Sequence, residues 1–373
     1  MTGQGRGDRW LTLISVTSEA TRTPATPAPL PLAERLAAWR YAFLTTNPPE
    51  RGVVDGVTRW LVITRAGVLP LTLFSGLIAL LLAAVADRPT GGYAAIHGID
   101  WLGLTLAIVG ILVAHVANNM MNDLADTEVG SDTADYPRAL YAPHPILTGL
   151  VTKKQLVAAI LLANVIDLVI MIVLTVRHGW PIIVYALAGL LLSYAYTAPP
   201  LRLKKYGLGE LDVFITWGPL MVGGVYYAGL GTVDWKVNLA AVTYALLPTT
   251  VLMGKHIDKI PYDEPIGTHT LPVILGERRA KVVTQAMLVL FYVGVVISVI
   301  VGAMPWPALL TLAAIPLALW GTLKAFSRPK PAEAPPEDVV WPLWWAPVAF
   351  VHMRRAGGLL VLGLLVGVII HAV

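Results

Sequence analysis

Nine apolar stretches, each close to the length a helix needs to cross a bilayer, divide this 373-residue chain. They fall at about 61–86, 100–121, 155–176, 179–197, 212–231, 238–254, 281–303, 306–324 and 356–372. A helix rises about 1.5 Å per residue, so roughly 20 apolar residues span the hydrocarbon layer. Composition agrees: the chain is 56% hydrophobic and only 13% charged, where a soluble domain carries about a quarter charged residues. The expected fold class is all-α: a polytopic membrane protein built as a nine-transmembrane-helix bundle.

There is no cysteine. That excludes disulfides, thiolate nucleophiles and cysteine-based metal or iron–sulfur sites. Residues 1–33 are polar and end in a Thr/Pro/Ala run, which predicts a disordered tail. Leu32 to Leu44 has apolar residues at helical spacing with Arg35 and Arg40, as an interfacial amphipathic helix would. The bundle then occupies 34–373, with a Pro- and Trp-rich loop over 325–355. All but four of the 27 Lys and Arg fall in the tail and in the loops after even-numbered spans. By the positive-inside rule these segments are cytoplasmic, in the plasma membrane of the cell.

Asn119, Asn122, Asp123 and Asp126 close the second span. If its helix continues, they stand at i, i+3, i+4 and i+7 and form one stripe. Such a stripe at the end of a membrane helix is costly unless a cation sits on it. Its ligands are all oxygen, which suits a hard divalent metal. Mg²⁺ takes one or two carboxylates and fills its shell with water and phosphate. The stripe therefore reads as half of a diphosphate–Mg²⁺ site, the plain alternative being a solvated loop. Gly130 allows a turn that returns Asp132 toward it, and Arg138 follows.

Two more loops lie on the same side. Tyr196, Pro199, Pro200, Arg202, Lys204, Lys205 and Tyr206 make a basic turn able to meet the charge of a departing diphosphate. Lys255, Asp258, Lys259 and Asp263 make a second acidic cluster. Its two Asp are five apart across Pro261 and do not align on a regular helix. A bend at the prolines and Gly267 would bring both inward; the alternative is pairing with the two lysines on a solvated loop. Within the membrane, Asn164 and Asp167 share a face toward the bundle interior. His115 is expected to be packed and satisfied. Phe214, Trp217, Tyr226 and Tyr227 are candidates to line a chamber.

The pattern Asn122-Asp123-x-x-Asp126-x-x-x-Gly130-x-Asp132, the loop ending Lys-Lys-Tyr-Gly-Leu-Gly-Glu, and the Asp-rich loop running into Gly-x-x-Thr-Leu-Pro-Val-x-Leu-Gly resemble the UbiA superfamily of intramembrane prenyltransferases. The first motif is most similar to the branch that prenylates 1,4-dihydroxy-2-naphthoate in the menaquinone pathway. The resemblance implies a cytoplasmic cap over a central cavity and Mg²⁺, two ions, binding a polyprenyl diphosphate. It places Asn122, Asp123, Asp126 and Asp132 at one metal and Asp258 and Asp263 at the other. It sets Arg138, Lys204 or Lys205 on the diphosphate, with Asn122, Tyr196, Lys255 and Lys259 beside them. Asp123, Asp126, Asp258 and Asp263 would then carry catalysis as ligands. In this chain the second pair is five apart rather than four, and Lys255, His256 and Ile257 precede it.

The function expected is ionisation of an allylic polyprenyl diphosphate and capture of the prenyl group by an aromatic acceptor. The partners are those two substrates and the lipid bilayer, with no nucleic acid. Transfer to a non-aromatic acceptor or cyclisation of the chain uses the same site. A secondary transporter would require an inverted repeat, which the hydropathy does not show.

Overall fold

A computed structural model describes residues 31–49, 54–86, 98–128, 137–334 and 340–372. Nearly all of the expected tail, and Gly130 and Asp132, lie outside them. The amphipathic helix is α1 (Leu32–Thr45), which buries Ala38 and Ala42 and exposes Leu32, Leu36, Phe43 and Leu44. Asp55 opens α2 (Gly56–Ile63) by accepting the Thr58 N–H. Arg65 then breaks the first span with a left-handed φ of 52°, before the turn Ala66–Val68 and α3 (Pro70–Ala84).

The remaining long helices are α4 (Trp101–Glu128), α5 (Lys153–His178), α6 (Pro181–Thr197), α7 (Gly209–Leu230), α8 (Trp235–Asp263), α9 (Glu277–Ile300), α10 (Trp306–Phe326) and α11 (Trp345–Ala372). Short helices cover Pro137–Tyr141 and Leu271–Leu275. Among the described residues, eight helices are long and apolar enough to cross a membrane. The ninth expected span is α6, apolar but only 17 residues long, or about 25 Å. The chain is an integral, multi-pass, all-helical membrane protein.

α8 is the axis. Its apolar window is 67% buried, against 22% for α5, and it packs on α3, α7, α9 and α11. α5 stands outside, against α4 and α6, with Leu161, Leu162, Leu168, Val169 and Ile172 exposed. Acyl chains satisfy such a face where water does not. At one end of α4, Asp100 accepts from Arg177 Nε at 2.6 Å and Nη2 at 2.8 Å and pairs with His178 at 2.8 Å. This clamp fixes the start of α4 to the end of α5. The acidic stripe lies at the opposite end of the same helix.

Two local expectations change. α8 stays helical through Pro248 and Pro261 to Asp263, so both members of the second acidic pair sit within one continuous helix. α11 begins at Trp345, eleven residues before the expected 356. Pro347 falls in its first turn, where no intrahelical N–H is needed, and the loop after α10 is correspondingly shorter.

Candidate active site at the polar end of a membrane cavity

α4 does continue through the stripe, so Asn119, Asn122, Asp123 and Asp126 leave the helix on one side. Each finds its own partner. Asn119 Nδ2 donates to the Thr64 carbonyl at 3.0 Å, which pins the chain where Arg65 turns left-handed. Arg65 then reaches Asp123 in a short ion pair. His144 Nε2 stands 4.0 Å from the same carboxylate and 3.3 Å from Thr127 Oγ1. Its Nδ1 accepts the Ile146 N–H at 3.3 Å, so the ring proton belongs on the Nε2 that faces Asp123. Asp123 and His144 are both fully buried.

Asn122 Oδ1 accepts from Thr197 Oγ1 at 2.5 Å. Asp126 takes both its oxygens to Lys204 Nζ at 2.6 Å. That places the basic turn after α6 directly on the stripe. Lys205, next to it, feels the charges of both Asp126 and Asp263. Burial, and then the neighbouring cations Arg202 and Lys204, hold its ammonium below the usual lysine value. Asp263 is fully buried and lies 3.5 Å from Lys259. The lysine pairing foreseen as an alternative thus occurs, but in the interior and not on a solvated loop.

Asp258 goes elsewhere. Five residues along a regular helix turn a side chain through about 140°, so it cannot share the face of Asp263. Its Oδ2 accepts the Ala346 N–H at 3.0 Å at the start of α11, and Lys330 Nζ lies 3.8 Å from Oδ1. It anchors the C-terminal helix. The structure thus joins Asn122, Asp126, Lys204, Lys205, Lys259 and Asp263 at one pole and leaves Asp258 beside it. Asp132 and the side chain of Arg138 fall outside the described residues.

Below this pole is a cavity of about 770 Å³. Its polar end is lined by Arg65, Asn118, Asn122, Tyr196 and Lys255, and its deeper wall by residues such as Leu71, Ile111, Met171 and Leu174. The charges of Arg65, Lys204 and Lys259 all act on Lys255, so four cations gather at one mouth. Asn164 and Asp167 line the cavity as expected of groups facing the interior. His115 is buried and bonded to Thr72 Oγ1 at 2.7 Å, as a packed histidine should be. Of the four candidate aromatics, Trp217 lines the chamber, while Tyr226 belongs to the apolar core with Tyr227 packed on it. Phe214 is not part of the wall.

Arg65 and His144 were missing from the sequence reading as site groups. The available signal was an arginine inside an apolar run, which is rare without a buried partner. Glu210 and His256 were also missed; they form a buried 2.6 Å pair that locks α7 to α8.

The donor set fits Mg²⁺. It is all oxygen, and carboxylates from two different helices face one pole. Among the described residues no three His, Asp or Glu side chains converge as a self-sufficient metal site.

Known proteins with similar sequence point the same way. The chain is 27% identical over 238 residues to 2-carboxy-1,4-naphthoquinone phytyltransferase of Synechocystis, covering 62% of this chain and 74% of that one. It is 30% identical over 238 residues to 1,4-dihydroxy-2-naphthoate octaprenyltransferase of Mycobacterium tuberculosis, covering 62% and 76%. The fold matches a UbiA homolog from Archaeoglobus fulgidus, solved with GPP and Mg²⁺, with a TM-score of 0.51 and 16% identity over 81% of this chain and 99% of that one. The UbiA prenyltransferase family model matches residues 79–337, well over half of the sequence, and the chain belongs to that family.

Proposed function

We propose that this protein moves a polyprenyl group from an allylic diphosphate to a hydroxyaryl acid, with 1,4-dihydroxy-2-naphthoate as the acceptor, in quinone biosynthesis. The observation that carries this reading is the polarity of the cavity. An apolar chamber ends in a mouth where lysines and an arginine meet acids from α4 and α8. An isoprenoid diphosphate has the same two-part character. The acceptor follows the named relatives, whose substrates are naphthalene acids or quinones.

Asn122, Asp126 and Asp263 would hold Mg²⁺, with Asp132 added from the segment after α4. When bound, Mg²⁺ would screen the diphosphate charge and act as a Lewis acid on its oxygens. Lys204, Lys205, Lys255 and Lys259 neutralise the remaining charge, which grows as the allylic C–O bond breaks and its electron pair leaves with the diphosphate. The ion pairs of Lys204 with Asp126 and of Lys259 with Asp263 also place those two side chains in advance. Leu71, Met171, Leu174 and their neighbours keep water from the allylic carbon. A ring carbon of the acceptor supplies the electron pair for the new C–C bond. It then gives up the group it carried, a proton or a carboxylate lost as carbon dioxide.

The pole would face the cytoplasm, where a water-soluble acceptor is available; the excess of Lys and Arg in the loops at that end supports this orientation. The test is incubation of the lipid-reconstituted protein with geranylgeranyl or longer diphosphates and a panel of hydroxyaryl acids. The expected result is one prenylated naphthalene product by mass spectrometry. Release of diphosphate with a cyclised or non-aromatic product would replace this acceptor class.

A further inference from the structure

We infer that Asp212 and Trp217 form the subsite that orients the acceptor, Asp212 taking a hydroxyl hydrogen of the ring and Trp217 giving its indole N–H to a second ring oxygen. This rests on the hydroxyaryl reading above. Both side chains line the cavity. Asp212 is 5% exposed. Its Oδ1 accepts from Thr216 Oγ1 at 3.0 Å, while Oδ2 is buried and accepts nothing. Trp217 Nε1 is buried and donates to nothing. One element therefore holds an unused acceptor and an unused donor, five residues apart, in side chains that line one chamber. Buried polar atoms are nearly always paired, and an unpaired set asks for a missing partner.

The platform is rigid. Thr216–Leu220 is a π turn containing Pro219, a local geometry often kept for function. Ser75 Oγ bonds the Trp217 carbonyl at 2.8 Å, and the indole stands edge-on to His115 at 5.1 Å and 89°. A side chain at Gly218 would come within 2.7 Å of Ala245 Cβ and 2.8 Å of the Ala241 carbonyl, so the turn is pressed onto α8.

The chemistry selects a neutral hydroxyl donor. Asp126 and Asp263 are met by lysines, whereas among the described residues Asp212 meets no cation, so no cation there would hold a diphosphate and its free oxygen favours a donor O–H. Its position is right for the reacting end, because the charges of Asp212, Asp126 and Asp263 all act on the Tyr196 hydroxyl. Asp167, whose Oδ1 is also unpartnered, stands 3.8 Å from where a methyl group on Gly110 would lie. Gly110 lies about 18 Å along α4 from Asn122, where the prenyl tail runs.

The test is steady-state prenylation in lipid at saturating geranylgeranyl diphosphate, varying 1,4-dihydroxy-2-naphthoate and its monohydroxy analogue. Wild type, Asp212→Asn and Trp217→Phe are compared, with binding of the prenyl diphosphate measured separately as proof of folding. The expected result is a rise of about 10–100-fold in acceptor KM in each variant, with the separately measured Kd of the prenyl diphosphate changed less than about threefold. The analogue lacking one hydroxyl should lose its disadvantage in one of the two variants. Unchanged acceptor KM in a variant that still binds prenyl diphosphate overturns the subsite while leaving the transferase reading intact. If wild type prenylates no hydroxyaryl compound, that reading fails and the subsite with it. Where Asp212→Asn does not fold, Trp217→Phe decides alone.

Discussion

At the scale of single residues, the site is a set of acids each already met by a cation of the protein: Asp123 by Arg65, Asp126 by Lys204 and Asp263 by Lys259. Such pairs offset part of the cost of taking carboxylates out of water. On the loop after α6, burial and then its cationic neighbours lower the pKa of Lys205. A lowered pKa means that the positive charge is lost earlier as pH rises. Prenyl diphosphate affinity should therefore fall with rising pH, with a break below the usual lysine value. Lys205→Arg, charged throughout, should shift the break to higher pH, and Lys205→Ala should weaken binding about tenfold at neutral pH. A pH profile of binding identical in wild type and Lys205→Arg would remove Lys205 from the site. The stripe on α4 was legible because its spacing matches the helical repeat. Arg65 was not, because its role depends on a left-handed backbone and a partner 58 residues away. No local pattern encodes either.

At the scale of elements, small residues decide how closely helices meet. A methyl group on Gly254 would lie 2.9 Å from the Trp345 carbonyl oxygen and 3.0 Å from the Ala346 nitrogen. This is backbone that cannot step aside, at the point where Asp258 holds α11. Gly254→Ala should cost about 1–3 kcal/mol, seen as a lower thermal midpoint in detergent, and should loosen α11 before the rest of the bundle. A midpoint equal to wild type would show that this contact is soft. At the far end, the Arg177 hydrogen bonds, together with those from Gly103 and His178, overcome the opposing effect of burial and hold the Asp100 carboxyl well below the usual carboxylate range. A depressed carboxylate stabilises the fold above its unfolded pKa of about 3.9 and loses that contribution as pH falls through the folded value. Asp100→Asn should thus lower the thermal midpoint by a few degrees at neutral pH, with the gap to wild type closing below about pH 4. A gap constant across that range would mean the clamp acts through shape and not charge. The spans themselves were readable from apolar length. The start of α11 was not, since Pro347, His352, Arg354 and Arg355 resemble a loop until Asp258 and the bundle close over them.

At the scale of the molecule, the proposed orientation and function both rest on an uneven distribution of charge. Lys and Arg cluster at the end of the bundle that holds the cavity mouth, and the Asp100 clamp marks the other. The chain has no cysteine, so single cysteines report topology without background. Glu264→Cys and Thr232→Cys, both at exposed positions, should label from opposite sides of the membrane, the first from the cytoplasm. Labelling of both from one side would contradict the span count. The central claim is that the pole of acids and lysines ionises an isoprenoid diphosphate for transfer to an aromatic ring. The most direct measurement is transfer of radiolabelled geranylgeranyl diphosphate to 1,4-dihydroxy-2-naphthoate by the purified protein in lipid, with and without Mg²⁺, for wild type and Asp126→Ala. The account predicts Mg²⁺-dependent product from wild type and a loss of at least about 10²-fold in the variant. Equal rates in the two proteins, or no binding of the prenyl diphosphate by wild type, would contradict it.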